Sequence, residues 1–257
     1  MTRREEEILK LISKNPMISQ REVAERLGIS RSSVAVHITN LMKKGYILGR
    51  GYIVKDKPYI TIVGGANVDI IGLPYKKLRM KDSNPGNTTI SLGGVGRNIG
   101  ENLSRLGIDT RLITVLGNDI YGKTIVEEGI KIGLDMSESL ILLGEETSTY
   151  IAILDEIGDM NLAISSMDIF EQMTISFIQE KKDLIENSTL CIVDTNIPGE
   201  VLEYIVLNFN VDFFLDTVST TKAETVKDML GYFHTIKPNK LEAEILSGME
   251  IIDNGDL

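Results

Sequence analysis

The sequence predicts an α/β protein: a mostly parallel β-sheet with helices on both faces and a small β flap, preceded by a small domain of three helices. Three observations carry this. From Tyr59 onward, short and almost continuously apolar strands alternate with helical stretches, the pattern of a parallel sheet covered on both faces. That alternation breaks between residues 139 and 164, where LILL, TYIAILD and MNLAI read as antiparallel strands around Gly158-Asp159, with TTISL at 88–92 able to join them as a flap. Charge is also divided: residues 1–55 hold 11 Lys and Arg against 5 Asp and Glu, and the remainder 16 against 32. Two domains are therefore expected, 1–55 and 58–257, joined through Lys55-Asp56-Lys57-Pro58.

Composition narrows the class further. A chain of 257 residues, 42% hydrophobic and 25% charged, is ordinary for a core-forming protein and excludes disordered and fibrous readings. The start, MTRREEEILKLISKN, lacks the apolar core of a signal peptide, and no later run approaches the ~20 apolar residues that span a bilayer, so a cytoplasmic protein without a membrane partner is expected. The single cysteine, Cys191, lies in the apolar run LCIV and reads as a small buried thiol, with neither a disulfide nor a cysteine metal site available.

In the basic front, EEEILKLISK places Ile8, Leu11 and Ile12 at helical spacing, and Asn15-Pro16 ends that helix. Ser19 and Glu22 form an S-x-x-E capping box for a second helix, lined by Val23, Ala24 and Leu27 and closed by Gly28. Ser30 caps a third, whose stripe is Val34, Ile38 and Leu41 and whose end is Gly45. The short turn Gly28-Ile29-Ser30 suits a helix-turn-helix. Opposite the stripe lie Ser32, Val36, Thr39 and Lys43, so Arg31, Ser32, Ser33 and Val36 are the candidates for base contacts in a major groove. YILGRGYIV reads as a hairpin wing with Arg50 at its tip, placed for phosphate or minor groove. His37 falls at the edge of the stripe, in a half-buried packing position. DNA is the expected partner, against the plainer reading of a three-helix dimerisation bundle.

The body's strands are YITIVGG, TRLITVL, LCIVD, VDFFLD and FHTIK; its helices are VGRNIGENLSRLG, IYGKTIVEEGIKIG, TISFIQEKKDLIEN, PGEVLEYIVLN and TKAETVKDML. Ligands collect at the carboxyl ends of such strands, where three clusters fall. In GGANVDI, Asn67 and Asp69 are two apart and fork toward adjacent hydroxyls; in LGGVGRNIG, Gly93 and Gly94 admit a ligand to the backbone and Asn98 projects from the next helix; in IKPNKLEAE, Asn239 and Glu242 share a helical face. GGVGRNIG departs from the dinucleotide fingerprint in spacing and position, which argues against a dehydrogenase. GNDIYGKT at 117–124 fits G-x-x-x-x-G-K-[ST], and with LCIVD would make a P-loop NTPase. Against it, Asp119, Ile120 and Tyr121 crowd the positions where backbone amides must surround polyphosphate, and the segment does not open the domain.

These clusters, in this order, resemble the ribokinase-like (PfkB) carbohydrate kinases, from about Tyr59 to the last residue; GGANVDI, DSNPG, GGVGRNI, DTVSTTKA and KPNKLEAE look most like the pseudouridine kinases within that family. The resemblance implies transfer of the ATP γ-phosphoryl group to a primary hydroxyl of a nucleoside or sugar, here the 5′-OH of pseudouridine. It implies Asn67 and Asp69 on ribose hydroxyls, Gly93, Gly94 and Asn98 completing the cradle, and a flap with Thr149 or its neighbours excluding water. Asn239 and Glu242 match the family's N-x-x-E motif, which orders Mg²⁺ and its waters; Asp194 and Asn196 point into the same cleft, Asp194 toward the cofactor side and Asn196 toward the substrate. ATP and Mg²⁺ are the implied cofactors, and a monovalent cation such as K⁺ is admitted.

One family element is absent. The closing signature D-T-x-G-A-G-D, which supplies the catalytic Asp and a backbone anion hole, does not occur in these 257 residues, so the resemblance implies a C-terminally truncated kinase whose catalytic base lies beyond Leu257. Negligible turnover by these residues alone is expected, an uncovered sheet edge predicts poor stability or self-association, and a homodimer is the expected assembly. The alternative is a transcriptional regulator that uses the kinase-like body as a nucleoside sensor; the P-loop NTPase is the lesser one.

Overall fold

The computed structural model describes residues 1–49 and 57–252 and divides the chain into two units, Met1–Lys57 and Pro58–Leu257. In the first, α1 (Arg3–Lys14), α2 (Gln20–Leu27) and α3 (Arg31–Lys43) pack through Ile8, Ile12, Ile18, Val23, Ala24, Val34, Ile38, Leu41 and Ile47. The Ser19–Glu22 capping box opens α2, and Gly28 closes it at φ +63°. α1 starts earlier than its apolar pattern because Thr2 and Glu5, spaced T-x-x-E, form a second capping box. Glu5 is buried, and the Lys44 ammonium, from the end of α3, donates to its two oxygens at 2.8 and 2.9 Å. The expected wing around Arg50 lies outside the described residues.

The second unit runs β1 (Ile60–Val63), β2 (Asn67–Pro74), β3 (Gly86–Gly93), α4 (Val95–Arg105), β4 (Thr110–Ile113), β5 (Val115–Gly117), α5 (Ile120–Ile132), β6 (Leu134–Asp135), β7 (Leu140–Leu142), β8 (Thr149–Leu154), β9 (Met160–Ser166), α6 (Ile175–Glu180), α7 (Lys182–Glu186), β10 (Leu190–Asp194), α8 (Gly199–Asn208), β11 (Phe213–Asp216), α9 (Thr220–Glu224), β12 (Thr235–Lys237) and α10 (Lys240–Ser247). The main sheet has the order β12-β11-β10-β1-β4-β6, with every neighbour parallel. Its strands look continuously apolar because alternate residues feed two cores. Ile62 and Leu112 pack with Ile125 and Leu134 on one side; Val63, Ile113, Cys191 and Val193 pack with Val201, Leu202 and Ile205 on the other. Cys191 is fully buried, which raises its thiol pKa far above the ordinary value.

A four-stranded flap, β3-β2-β8-β9, stands apart from the main sheet. Its β8–β9 hairpin turns at Gly158, φ +91°, as the sequence led us to expect. Four expectations need correction. GGANVDI, expected as a polar cluster at the carboxyl end of the first strand, runs on into the flap strand β2, because Asn67 to Pro74 pair in unbroken register with Gly93 to Gly86. LILL does not join the flap: β7 pairs parallel with β5. TRLITVL is two strands, because the Ser139 hydroxyl enters the ladder, donating to the Leu112 carbonyl at 2.8 Å and accepting from Thr114 N–H at 3.2 Å. The helices read at TISFIQEKKDLIEN and TKAETVKDML are each interrupted, at Lys181 and after Thr225, where the backbone leaves helical geometry. No helix among the described residues is long and apolar enough to cross a membrane.

Candidate functional site

Alternation along β2 puts Asn67 and Asp69 on one side of the flap. The structure brings them together: the Asn67 amide donates to Asp69 Oδ1 at 2.6 Å, Asn67 is buried, and Asp69 Oδ2 has no partner among the described residues. Gly93 is the register partner of Asn67, and a Cβ there would collide with the Asp69 carboxylate. Gly94 has φ +94°, and its own Cβ would strike the Gly65 carbonyl. Both glycines are therefore required by close approach, to the acid in one case and to the β1–β2 turn in the other.

Asn98 lies on the first turns of α4, exposed, with Oδ1 accepting from the Arg97 guanidinium at 3.2 Å. Arg97, which the sequence reading passed over, is buried and pairs with Glu101 at 2.6 Å, fixing that side of the helix. Its signal was the i, i+4 Arg-Glu spacing on an otherwise small-residue face. Thr149 does not share the acid's side of the flap. It stands in register with Val68, whose side chain is in the core, so by the period of two it faces away; its neighbour Tyr150, in register with Asp69, takes the facing position.

Asp194 also departs from expectation. It does not project into the cleft but is fully buried, with Oδ2 accepting N–H groups of Gly65 at 2.9 Å and Gly96 at 2.7 Å, and Oδ1 accepting that of Asn196 at 2.8 Å. Burial pushes its pKa up, and these backbone donors act against that. It is a clamp joining the ends of β1 and β10 to the head of α4. Asn196 is half-buried at the end of β10; its Oδ1 accepts from the Lys222 ammonium at 2.6 Å.

At α10, Asn239 and Glu242 form a third capping box. Asn239 Oδ1 accepts from Glu242 N–H at 3.0 Å, while Glu242 accepts from the Asn239 amide at 2.6 Å and its N–H at 2.9 Å. Thr217, after β11, also donates to the buried Glu242 at 2.6 Å. Among the described residues no three His, Cys, Asp or Glu side chains converge to hold a metal. A lone carboxylate suits Mg²⁺, which retains several waters and takes one or two carboxylates beside substrate phosphates.

GNDIYGKT forms the turn from β5 into α5. Asp119 caps the helix, accepting from Gly122 N–H at 2.8 Å, from Thr147 N–H at 2.8 Å and from the Thr147 hydroxyl at 2.7 Å. These bonds hold its pKa below the ordinary value against burial. The amide that a polyphosphate would need is bonded to the segment's own carboxylate.

In the first unit Arg31, Ser32, Ser33 and Val36 are all exposed, Val36 at 59%. The Ser30 cap shares hydroxyl contacts of 2.9 Å with Ser32 and Ser33, which orders the head of α3. His37 is half-buried, and its buried Nδ1 has no hydrogen-bond partner among the described residues.

Comparison with known proteins matches residues 57–256 to the pfkB family carbohydrate kinase model and residues 1–47 to a winged helix-turn-helix DNA-binding model. The Uncharacterized sugar kinase YeiI of Escherichia coli (strain K12) is 41% identical over 100% of this chain and 71% of its own length. The Pseudouridine kinase of the same organism is 38% identical over 79% of this chain and 65% of its own. A solved carbohydrate kinase from Agrobacterium tumefaciens superimposes with a TM-score of 0.69 at 28% identity, over 75% of this chain and 64% of its own. The chain thus spans about two thirds of these relatives, and by its matched residues and its sheet it belongs to the pfkB family of carbohydrate kinases, with a winged helix-turn-helix region in front.

Proposed function

We propose that the second unit binds a nucleoside, most specifically pseudouridine, for phosphorylation of its 5′-hydroxyl by ATP. The observation that carries this is the Asn67–Asp69 pair, held at 2.6 Å against Gly93 with one carboxylate oxygen unpartnered, a fork suited to adjacent ribose hydroxyls. The 38% identity to a pseudouridine kinase supports the choice of nucleoside. In the transfer, the 5′-oxygen bonds to the γ-phosphorus, the bond to the β-phosphate bridging oxygen breaks, and the hydroxyl proton passes to a base.

Each residue has a defined task in this reading. Asn67 and Asp69 orient the ribose so that its 5′-oxygen meets the phosphoryl group in line. Gly93 leaves room for the Asp69 carboxylate and Gly94 for the β1–β2 turn, so the glycine pair sets the fork in place rather than meeting the sugar itself, and Asn98 adds a side-chain amide. Tyr150 replaces Thr149 as the flap side chain over the sugar. Glu242, held by Asn239 and Thr217, is the residue that would meet Mg²⁺ through water; the ion supplies neutralisation of phosphate charge. These residues contain no D-T-x-G-A-G-D stretch, so the base is not assigned among them and binding is the appropriate test.

The experiment is calorimetric titration of the chain with pseudouridine, uridine and ribose. Saturable pseudouridine binding, weakened at least about tenfold in Asp69→Ala through loss of a charge-assisted contact, is expected. Absence of binding by any of the three would overturn the reading.

The exposed head of α3 favours a second activity beside the first, DNA binding by the front unit through Arg31, Ser32, Ser33 and Val36. If the body reports nucleoside to that front, the coupling must be reciprocal: the nucleoside changes DNA affinity by the factor that DNA changes nucleoside affinity.

A further inference from the structure

Lys222 was not among the residues singled out from the sequence, yet its setting is unlike that of any other lysine described here. It is half-buried on α9, and its ammonium has a single hydrogen-bond partner among the described residues, the neutral Oδ1 of Asn196 at 2.6 Å. No carboxylate among the described residues forms an ion pair with it. Asp194, whose charge acts on it, is committed to three backbone N–H groups. Burial pushes the Lys222 pKa down, and the Asp194 charge only partly opposes this. An ammonium carries three donors, and Asn196 takes one of them, so the remaining donors are available to an anion.

Its place in the fold says which anion. Asn196 follows β10 and stands against Gly65 of the β1–β2 turn, which leads into Asn67 and Asp69. On the other side, the Thr195 hydroxyl donates to the Thr217 carbonyl at 2.8 Å, and Thr217 donates to Glu242. Lys222, on α9 between β11 and β12, thus belongs to the same row of strand ends as the Asn67–Asp69 fork and the Asn239–Glu242 box. The turn that leads into α9 is itself held in an unfavourable conformation. Val218, β-branched, has φ +60°, with its N–H donating to Asp216 Oδ1 at 3.0 Å.

We propose that Lys222 is the cation that receives the transferred phosphate, contacting the 5′-phosphate of the nucleoside monophosphate formed at this site. This rests on the nucleoside reading above and extends it to a residue which that reading leaves idle. Asn196 holds the ammonium in place before the phosphate arrives, and the phosphate oxygens take the remaining donors.

The test is titration of the wild-type chain, Lys222→Met and Lys222→Arg with pseudouridine and with its 5′-monophosphate, at low and high salt. Lys222→Met is expected to weaken monophosphate binding about tenfold or more and to flatten its salt dependence, while nucleoside affinity changes less than about threefold. That retained nucleoside affinity also shows the variant is folded. Lys222→Arg, which keeps the charge, is expected to retain most of the monophosphate affinity. Equal losses for both ligands in both variants, or no loss for either, overturn the assignment and leave the nucleoside site standing. A wild-type chain that binds the monophosphate but not the nucleoside overturns the nucleoside reading and keeps Lys222 as a phosphate contact if Lys222→Met abolishes it. Binding of neither by the wild type overturns both.

Discussion

The Asp194 carboxylate lies 2.7 Å from the backbone nitrogen of Gly96, so an acid at the end of one strand holds the head of the helix that follows the glycine pair. The same oxygen takes the Gly65 N–H, and a Cβ on Gly96 would press on Gly64. Asp194→Ala leaves these buried donors unsatisfied, each a loss of about 1–3 kcal/mol. We expect denaturant unfolding to show a stability loss of about 2–4 kcal/mol, with nucleoside affinity falling alongside because α4 and the β1–β2 turn separate.

The two glycines should separate in their effects. Gly94→Ala forces a side chain into a left-handed backbone against the Gly65 carbonyl and is expected to cost at least about 1–3 kcal/mol of stability. Gly93→Ala meets the Asp69 carboxylate, a side chain that can move, so its larger effect should be on nucleoside affinity. Measuring both variants by unfolding and titration checks this; an identical ranking in the two assays would contradict it.

GNDIYGKT gives a third prediction. Lys123 is exposed, so Lys123→Ala should leave nucleotide affinity and stability unchanged. Asp119→Ala removes the α5 cap and its bonds to Thr147 and should cost about 1–2 kcal/mol. Loss of ATP binding in Lys123→Ala would restore the P-loop reading.

For the front unit, the pH dependence follows from Glu5. Its hydrogen bond from Lys44, followed by that from Thr2 N–H, lowers its pKa from 4.5 to about 2. A folded-state pKa below the unfolded value means the stabilisation is fully present above about pH 4.5 and is lost as pH falls toward about 2. Carbon-13 titration of the Glu5 carboxyl should show the depressed midpoint, and Lys44→Met should raise it and weaken the unit at neutral pH.

DNA binding by α3 makes a prediction about salt. Arg31→Ala should weaken binding and reduce the slope of log affinity against log salt by about one counterion if Arg31 meets phosphate, with little change in slope for Ser32→Ala. Gel-shift titration across salt concentrations measures both; no retention of wild type on any DNA at low salt would end the proposal.

Much of this was legible in the residues because it depends on local chemistry. Ser19–Glu22, Ser30 and Gly28 set helix ends through bonds within a few residues, and the alternation of strand and helix announced a parallel sheet whatever its order. Asn67 and Asp69 could be paired from their spacing alone, since side chains two apart on an extended chain share a side. The flap's full membership was not legible: that residues 67–74 belong to it depends on pairing with β3 across an 11-residue connection, and Thr149 looked as suitable as Tyr150 because only register fixes which one faces the acid.

By itself, then, the sequence determined the two-part organisation, the helix caps, the glycine and N-x-x-E clusters and the family they resemble. Tertiary structure alone decided that Asp194 is a clamp, that Asp119 occupies its own loop's amide, and that Lys222 meets Asn196 and forms no ion pair among the described residues. The physical reason is range: caps and periodicity act within a turn or two of chain, whereas Asp194 reaches Gly65 and Lys222 reaches Asn196 only after the parallel strands set their ends side by side.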